Sequence, residues 1–287
     1  MENNNRFLGI SFMMKIGFFF SVFFVCFFLT ATLASMLVNR YGATNPVVLT
    51  QIALQNLLTF ALPALLVASF IVRKPFQYLL LSQSPKAKHI LYVLLLYVAS
   101  TPFMNLIVEL NESITLPESF AALEVILRNY EEAAKAVTDQ LIQGQNLLGV
   151  LVLMLILGCL TGFGEEIFFR GMLTRLFIDR PMNKHIAIWL GAIVFSFMHF
   201  QFFGFVPRVL MGAMFGYLLV WTGSLWVPII AHALNNSMVV LFTYLLEQGK
   251  LSQSLDVYGT TQCAWWLSIV SVIAFAALLK YRRIFVE

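Results

Sequence analysis

Six ionisable or amide side chains lie within stretches of this sequence that are otherwise apolar. They are Glu165, Glu166, Arg170, His199, His232 and Asn236. An ionisable residue at the centre of a membrane helix costs about 2.5 to 3.5 kcal/mol on insertion scales, so such residues usually face an internal cavity and mark function. Three separate apolar stretches carry the six side chains, which favours one shared polar site over six unrelated core residues.

The spacing of these residues places most of them in pairs. Glu166 and Arg170 are four residues apart, and so are His232 and Asn236, so each pair shares one face of a helix. An intrahelical ion pair accounts for Glu166 and Arg170 as a packed polar patch. It leaves Glu165 unexplained.

Glu165 and His199 lie at similar distances, counted in residues, from the polar turn at 179–184. In an antiparallel hairpin they would therefore meet at nearly equal depth. A carboxylate and an imidazole together can activate water as a general base, while a second imidazole and a carboxamide can stabilise an oxyanion. The residue types and their order predict peptide hydrolysis without a nucleophilic side chain.

Two alternatives stay open at this point. No His-Glu-x-x-His or Gly-x-Ser-x-Gly motif occurs, but Glu165, His199 and His232 are a chemically permissible two-His-one-Glu zinc set. Intramembrane carboxylates and histidines also mark transport pathways, so a non-catalytic transporter, or an immunity or scaffold protein, is the second hypothesis. We find no convincing internal repeat of the kind common in transporters, which favours the enzyme.

The composition identifies the elements that must position these side chains. Of the 287 residues, 60% are hydrophobic and 11% are charged, against about 25% charged in soluble domains. Mean hydropathy is +0.84. The net charge of +4 fits basic cytoplasmic loops of a membrane protein, so composition excludes a soluble globule and gives no support for nucleic-acid binding.

Eight apolar stretches approach the roughly 20 residues that a helix needs to cross a bilayer core of about 30 Å. They are 16–38, 47–72, 90–110, 146–165, 186–203, 205–222, 225–246 and 262–281. We therefore predict an all-α, polytopic transmembrane helix bundle of about eight spans. The Phe-rich segment 18–28 is expected to face lipid.

The segment after the third span is acidic. Residues 109–143 carry seven acids and two bases, and their apolar residues recur at helical spacing from Phe120 to Leu141. This pattern predicts an amphipathic helix on the membrane surface. It is either a lid that contacts substrate or a connector between distant spans, and we favour the connector.

Basic residues near the span ends predict the orientation. They are Arg6, Lys15, Arg73, Lys74, Lys86, Lys88, Arg175, Arg180, Lys184, Lys280, Arg282 and Arg283. With eight spans these positions share one side, and the excess of Lys and Arg in cytoplasmic loops makes that side cytoplasmic. Both termini are then cytoplasmic.

At its polar motifs the sequence resembles the CAAX-processing and bacteriocin-processing (CPBP) family of intramembrane glutamic endopeptidases, also called the type II CAAX protease or Abi family. The matched pattern is Glu-Glu-x-x-x-Arg, then Phe-x-x-x-His, then His-x-x-x-Asn. The matching residues are Glu165, Glu166, Arg170, Phe195, His199, His232 and Asn236. The resemblance covers about residues 145–245.

The resemblance implies an endopeptidase in which Glu165 and His199 activate the attacking water, and His232 and Asn236 form the oxyanion hole. The other three motif residues would be supporting residues. It further implies no metal and no cofactor, and a membrane-embedded or membrane-tethered peptide substrate. The short loops are typical of a protein of the bacterial cytoplasmic membrane.

We accordingly divide the chain into three parts. Residues 1–144 hold the N-terminal spans and the amphipathic connector, residues 145–246 the catalytic core helices, and residues 247–287 the last span and the basic tail.

Overall fold

The computed structural model describes residues 11–179, 182–252 and 255–286. Its main helices, numbered in chain order, are α1 Phe12–Tyr41, α2 Asn45–Ile71, α3 Ala87–Glu112, α4 Ala121–Ile142, α5 Leu147–Ile178, α6 Lys184–Phe197, α7 Phe205–Thr222, α8 Trp226–Glu247 and α9 Trp266–Lys280. The described ranges contain no strand, so the all-α prediction is confirmed. Arg6 and Arg180, used above to orient the chain, lie outside the described residues.

Six helical stretches are long and apolar enough to cross a membrane: α1, α2, α3, α5, α8 and Phe202–Thr222, which contains α7. The helices α6 and α9 are apolar but have 14 and 15 residues. Every predicted stretch thus contains an apolar helix, and the protein is an integral membrane protein.

Two of the predicted spans are shorter than expected because of local backbone turns. Helix α6 stops at Phe197, since Phe200 adopts a left-handed conformation with φ of 53° that turns the chain away from the helix path. Helix α9 begins only at Trp266. Just before it, within the predicted span, Ala264 has a positive φ of 50°.

Helix α4 confirms the predicted amphipathic surface helix. Only Leu141 and Ile142, at its C-terminal end, are buried, and they pack beside α5 and α8 in one apolar cluster. Phe120 and Ile126, among others, remain exposed. Their exposure suits a helix that lies against lipid.

Helix α5 lies at the centre of the bundle and carries the Glu-Glu motif. Gly158 and Gly162 allow α8 to approach closely: a Cβ at Gly158 would meet the Ser237 hydroxyl, and a Cβ at Gly162 would meet the Ala233 backbone at 2.9 Å. On another face, Phe168 packs against the rings of Phe19 and Phe23 at 4.6 and 5.1 Å.

The expectation that the Phe-rich segment faces lipid is therefore wrong for three of its residues. Phe19, Phe23 and Cys26 are buried, whereas Phe24 and Phe28 are exposed. Helical periodicity explains the division, because one face of α1 packs on α5 while the other faces outward.

Three stretches have π-helical hydrogen bonding: Gln55–Ala61 in α2, and Met154–Leu160 and Ile167–Thr174 in α5. Between the last two lies the regular α-helical stretch Thr161–Glu166. Such π-segments occur frequently at functional sites. Here they flank the Glu-Glu motif on both sides.

Candidate active site

Glu166 is the centre of a buried hydrogen-bond network that joins three helices. Its Oε1 accepts from Arg170 Nη1 at 2.7 Å and from His232 Nδ1 at 2.8 Å. Arg170 Nη2 donates to the Gly212 carbonyl of α7 at 2.9 Å. Both members of the ion pair are almost wholly buried, with 0% and 1% of the residue exposed. The network fixes α5, α7 and α8 relative to each other.

His232 is placed between the two carboxylates of the motif. While Nδ1 bonds Glu166, its Nε2 lies 3.8 Å from Oε2 of Glu165. The Phe215 ring stacks on the imidazole with a centroid distance of 5.1 Å. These contacts hold Nε2 toward Glu165. The Oε2 atom of Glu165 is buried and has no hydrogen-bond partner among the described residues.

His199 follows α6 in the turn before Phe202, and its environment defines its tautomer. Its Nδ1 lies 2.9 Å from the Phe195 carbonyl, and because a carbonyl only accepts, Nδ1 carries the proton. Nε2 of the neutral ring is then available as an acceptor. The Phe195 ring packs against His199 at 4.9 Å and against His232 at 5.9 Å.

Asn236 lies one turn beyond His232 on α8. Its Nδ2 donates to the Leu157 carbonyl in α5 at 3.2 Å, and its Oδ1 accepts from Asn235. Among the described residues, the Asn236 side chain makes no hydrogen bond to another motif residue. The amide therefore lies at the edge of the site.

The structure thus brings most of the predicted residues into contact. The hydrogen-bonded group contains Glu166, Arg170 and His232, with Glu165 beside it. Phe195 connects this group to His199, since its ring packs against both imidazoles.

Sequence analysis missed further residues around the site, three of them on α7. Gly212 accepts from Arg170, and Phe215 stacks on His232, but neither belongs to a polar motif. Arg208 lies in the first turn of α7, where it donates at 2.7 Å to Oε1 of Gln201, two residues after His199, and lies 3.8 Å from Oε2 of Glu131. As an arginine within an apolar stretch, Arg208 met the criterion applied to Glu165 and was detectable.

The zinc alternative finds no geometric support. In the part of the chain that the structure describes, no group of three His, Cys, Asp or Glu side chains is arranged to hold a metal ion. Nδ1 of His232 is bonded to Glu166, which leaves Nε2 as its available ring nitrogen. The residue types of the set Glu165, His199 and His232 still permit zinc chemistry, and removal of metal by a chelator distinguishes the two alternatives.

A large apolar cavity lies beside the network. It has a volume of about 1040 Å³, lies among α3, α7, α8 and α9, and its lining includes Phe215, Ala231 and Asn235. Phe215 stacks on His232, and Ala231 and Asn235 directly precede His232 and Asn236 in the sequence. A hydrophobic group in this cavity would lie close to the polar site.

Comparison with known proteins gives two matches. Residues 147–238 match the family model "Type II CAAX prenyl endopeptidase Rce1-like". Over 83 residues the chain is 30% identical to the uncharacterized protein YpbD of Bacillus subtilis (strain 168), an alignment that covers 28% of this chain and 39% of that relative. No solved structure matches the chain. The segment matched by the family model includes every motif residue.

Proposed function

We propose that this protein is an intramembrane glutamic endopeptidase, since residues 147–238 match the family model of the Rce1-like type II CAAX prenyl endopeptidases. It hydrolyses a peptide bond of a membrane-associated peptide or protein. The observation that carries the proposal is the placement of His232 between two buried carboxylates, with the free Nε2 of His199 nearby. Paired acids and imidazoles in an apolar bundle are the groups that activate water.

Glu165 and His199 act as the base in this mechanism. Oε2 of Glu165 has no partner within the described residues, so it can accept one hydrogen of the attacking water. Nε2 of His199 is free to accept because Phe195 holds the proton on Nδ1. As the water oxygen bonds the scissile carbonyl carbon, its proton passes to this pair, and from there to the departing amine.

The carbonyl oxygen becomes negatively charged during the attack and needs donors. His232 supplies Nε2–H in its doubly protonated form, while Glu166 holds the proton on Nδ1. Asn236 supplies an amide hydrogen from the next turn of α8. Such donors, placed before the reaction, contribute about 10²- to 10³-fold each to the rate.

Glu166, Arg170 and Phe195 support the site without taking part in proton transfer. Glu166 orients His232, and Arg170 neutralises Glu166 at 2.7 Å. Phe195 packs against both imidazoles. The substrate is embedded in or tethered to the membrane, since the site lies within membrane-spanning helices beside an apolar cavity. We assign the protein to the bacterial cytoplasmic membrane, with both termini cytoplasmic.

Cleavage of membrane-tethered peptides by the purified protein in liposomes tests this proposal. We expect the wild type to cleave members of a peptide panel. Glu165→Gln and His199→Gln should each lower kcat by about 10² to 10⁴, the usual contribution of a positioned general base. Products are identified by mass spectrometry, with and without a strong metal chelator.

Glu132→Gln is the matched control, because Glu132 is an exposed carboxylate on α4. Its activity should equal that of the wild type. Cleavage that survives Glu165→Gln would contradict the proposed base. Cleavage that is lost on chelation would instead support a zinc-dependent peptidase.

A further inference from the structure

The site holds a buried polar residue that none of the motifs contains. Asn56 lies in the π-helical stretch of α2 and is 3% exposed. We propose that Asn56 is a positioning residue that fixes the rotation of α5 and thereby the placement of the Glu165 carboxylate. This inference rests on the proposed function, because it takes Glu165 to be part of the catalytic base.

Asn56 is bonded to the turn of α5 that precedes Glu165. Its Nδ2 donates to Thr161 Oγ1 at 3.0 Å and to the Ile52 carbonyl of its own helix at 2.9 Å. Thr161 in turn donates to the Ile156 carbonyl at 3.1 Å, five residues earlier, which belongs to the π-segment. One amide therefore connects α2 to the junction between the π-helical and α-helical parts of α5.

The backbones of the two helices also meet at this point. A Cβ at Gly164 would lie 2.5 Å from the backbone carbonyl oxygen of Asn56 and 3.1 Å from the Cβ of Asn56. Only glycine at position 164 allows this approach. Asn56 thus contacts α5 on both Thr161 and Gly164, and it opposes rotation of the helix in either direction.

Helix geometry places Glu165 beside this contact. At about 100° per residue, Glu165 lies about 40° from Thr161 and about 60° from Gly162 around α5. Thr161 bonds Asn56 and Gly162 faces α8. Helical side chains also lean toward the N-terminus of their helix, so the Glu165 side chain leans over Thr161. Its carboxylate therefore lies between the Asn56 contact and His232.

An apolar residue would fill this position with less free-energy cost if packing were its only role. The Oδ1 atom of Asn56 is buried, and no donor within the described ranges reaches it. A buried acceptor without a donor destabilises the folded state. This cost fits a residue that sets the geometry of a reacting carboxylate better than one that only fills space.

The test compares Asn56→Leu and Thr161→Val, each of which keeps the side-chain shape and removes the bond. A misplacement of about 1 Å can lower a rate by 10², so we expect kcat to fall about 10- to 100-fold, with KM within about twofold. The double variant should be no slower than the slower single variant, since both changes remove one interaction. Thr161→Ser, which keeps the hydroxyl, should restore kcat.

Thr50→Val is the matched control for the loss of a hydroxyl on a membrane helix. Thr50 is on α2, and its hydroxyl bonds only its own helix, at the Pro46 carbonyl. Its kcat and KM should equal those of the wild type. Thermal unfolding in detergent verifies that each variant is folded, and the Thr161 pair retains the test if Asn56→Leu does not fold.

A spectroscopic measurement makes the test independent of any substrate. The infrared carboxyl band of Glu165 is isolated as the difference between wild type and Glu165→Gln. We expect this band to shift in Asn56→Leu and Thr161→Val and to stay in place in Thr161→Ser and Thr50→Val. An unshifted band, or unchanged kcat in folded Asn56→Leu and Thr161→Val, overturns the inference. If no substrate is cleaved by the wild type, the proposed function fails and the band alone decides the role of Asn56.

Discussion

At the scale of single residues, the imidazole of His232 is held in place by contacts on several sides. Glu166 fixes its Nδ1, Phe215 fixes the plane of its ring, and Nε2 is left facing Glu165. Asn236 is less constrained, because its bonds go to the Leu157 carbonyl and to Asn235. We therefore expect loss of the His232 side chain to disturb the fold more than loss of Asn236, the other proposed oxyanion donor.

We expect Asn236→Ala to reduce catalysis without unfolding the protein. Loss of one oxyanion donor should lower kcat by about 10² to 10³, while KM changes little because the interaction is made in the transition state. Steady-state kinetics on a cleaved peptide measures both constants. Asn129→Ala, which removes an exposed amide of α4, is the control. A raised KM with unchanged kcat would place Asn236 in ground-state binding instead.

The Glu166 and Arg170 pair is expected to govern stability. Arg170→Met leaves the fully buried Glu166 carboxylate without its cation, which destabilises a fold by about 3 to 5 kcal/mol. The double change Glu166→Gln with Arg170→Met removes both charges and should recover part of that loss. Thermal unfolding in detergent of the two variants tests this. Equal destabilisation by the single and double variants would contradict the expected coupling.

The polar motif residues were predictable because they stand within apolar sequence, and four of them form two pairs at four-residue spacing. Phe215, Gly212 and Asn56 were not, because they approach the site from α7 and α2 through tertiary packing. Nothing in the local sequence around Asn56 states which helix it will face.

At the scale of elements, α4 is more than a connector. Glu131 Oε1 accepts from the Gly204 amide at 3.1 Å, and the Arg128 guanidinium lies 4.1 Å from the centre of the Phe203 ring. Both contacts hold the loop that follows His199. We infer that α4 restrains this imidazole through the loop.

Glu131→Ala should therefore slow the proposed reaction with little effect on overall folding. A hydrogen bond to a charged group contributes about 1.5 kcal/mol, and about 1.4 kcal/mol corresponds to tenfold in rate. We expect kcat to fall about tenfold. The neighbouring exposed residue gives the control, Glu132→Ala. Equal rates for the two variants would show that the loop holds its place without α4.

The N-terminal end of α4 should respond to pH. The Leu116 amide and the Arg128 guanidinium donate to the Glu124 carboxylate at 2.7 and 2.9 Å, and these bonds hold the pKa of Glu124 below its usual value. The stabilisation is then complete above the unfolded pKa and is lost as pH falls through the lower folded value. Hydrogen exchange of the Leu116 amide should accelerate in that acidic range, relative to its intrinsic rate. Glu124→Gln should remove this pH dependence, and an unchanged one would contradict the assignment.

Element boundaries were the least predictable feature at this scale. Helix α6 ends six residues before the predicted span does, because Phe200 takes a left-handed conformation that its residue type does not announce. The surface helix, in contrast, followed directly from its apolar spacing and its acidic face.

At the scale of the whole molecule, hydropathy was sufficient to predict the helix bundle. Apolar stretches of about 20 residues have few alternatives to a helix in a bilayer. The packing order of the helices was not predictable, since it depends on glycines such as Gly158 and Gly162 that allow close contact with α8.

Orientation in the membrane stays a prediction, and cysteine labelling tests it. In a variant with the three native cysteines replaced, we expect Lys86→Cys and Lys184→Cys to react with an impermeant maleimide only after the cells are permeabilised. Eight spans put Arg40 and Lys250 on the opposite side of the membrane, so Arg40→Cys and Lys250→Cys should react in intact cells. The physical reason is the excess of Lys and Arg on the cytoplasmic side. The reverse pattern would invert the topology and contradict cytoplasmic termini.

The shortness of α6 has a consequence for the surrounding lipid. Its 14 residues span about 21 Å at about 1.5 Å per residue, against a hydrocarbon core of about 30 Å. A hydrophobic segment that is too short draws the two leaflets together around it, at a cost that rises with each ångström of mismatch. The bilayer is therefore expected to be thinnest beside α6, and the acyl-chain length of the host membrane becomes a control on turnover that requires no change in the protein.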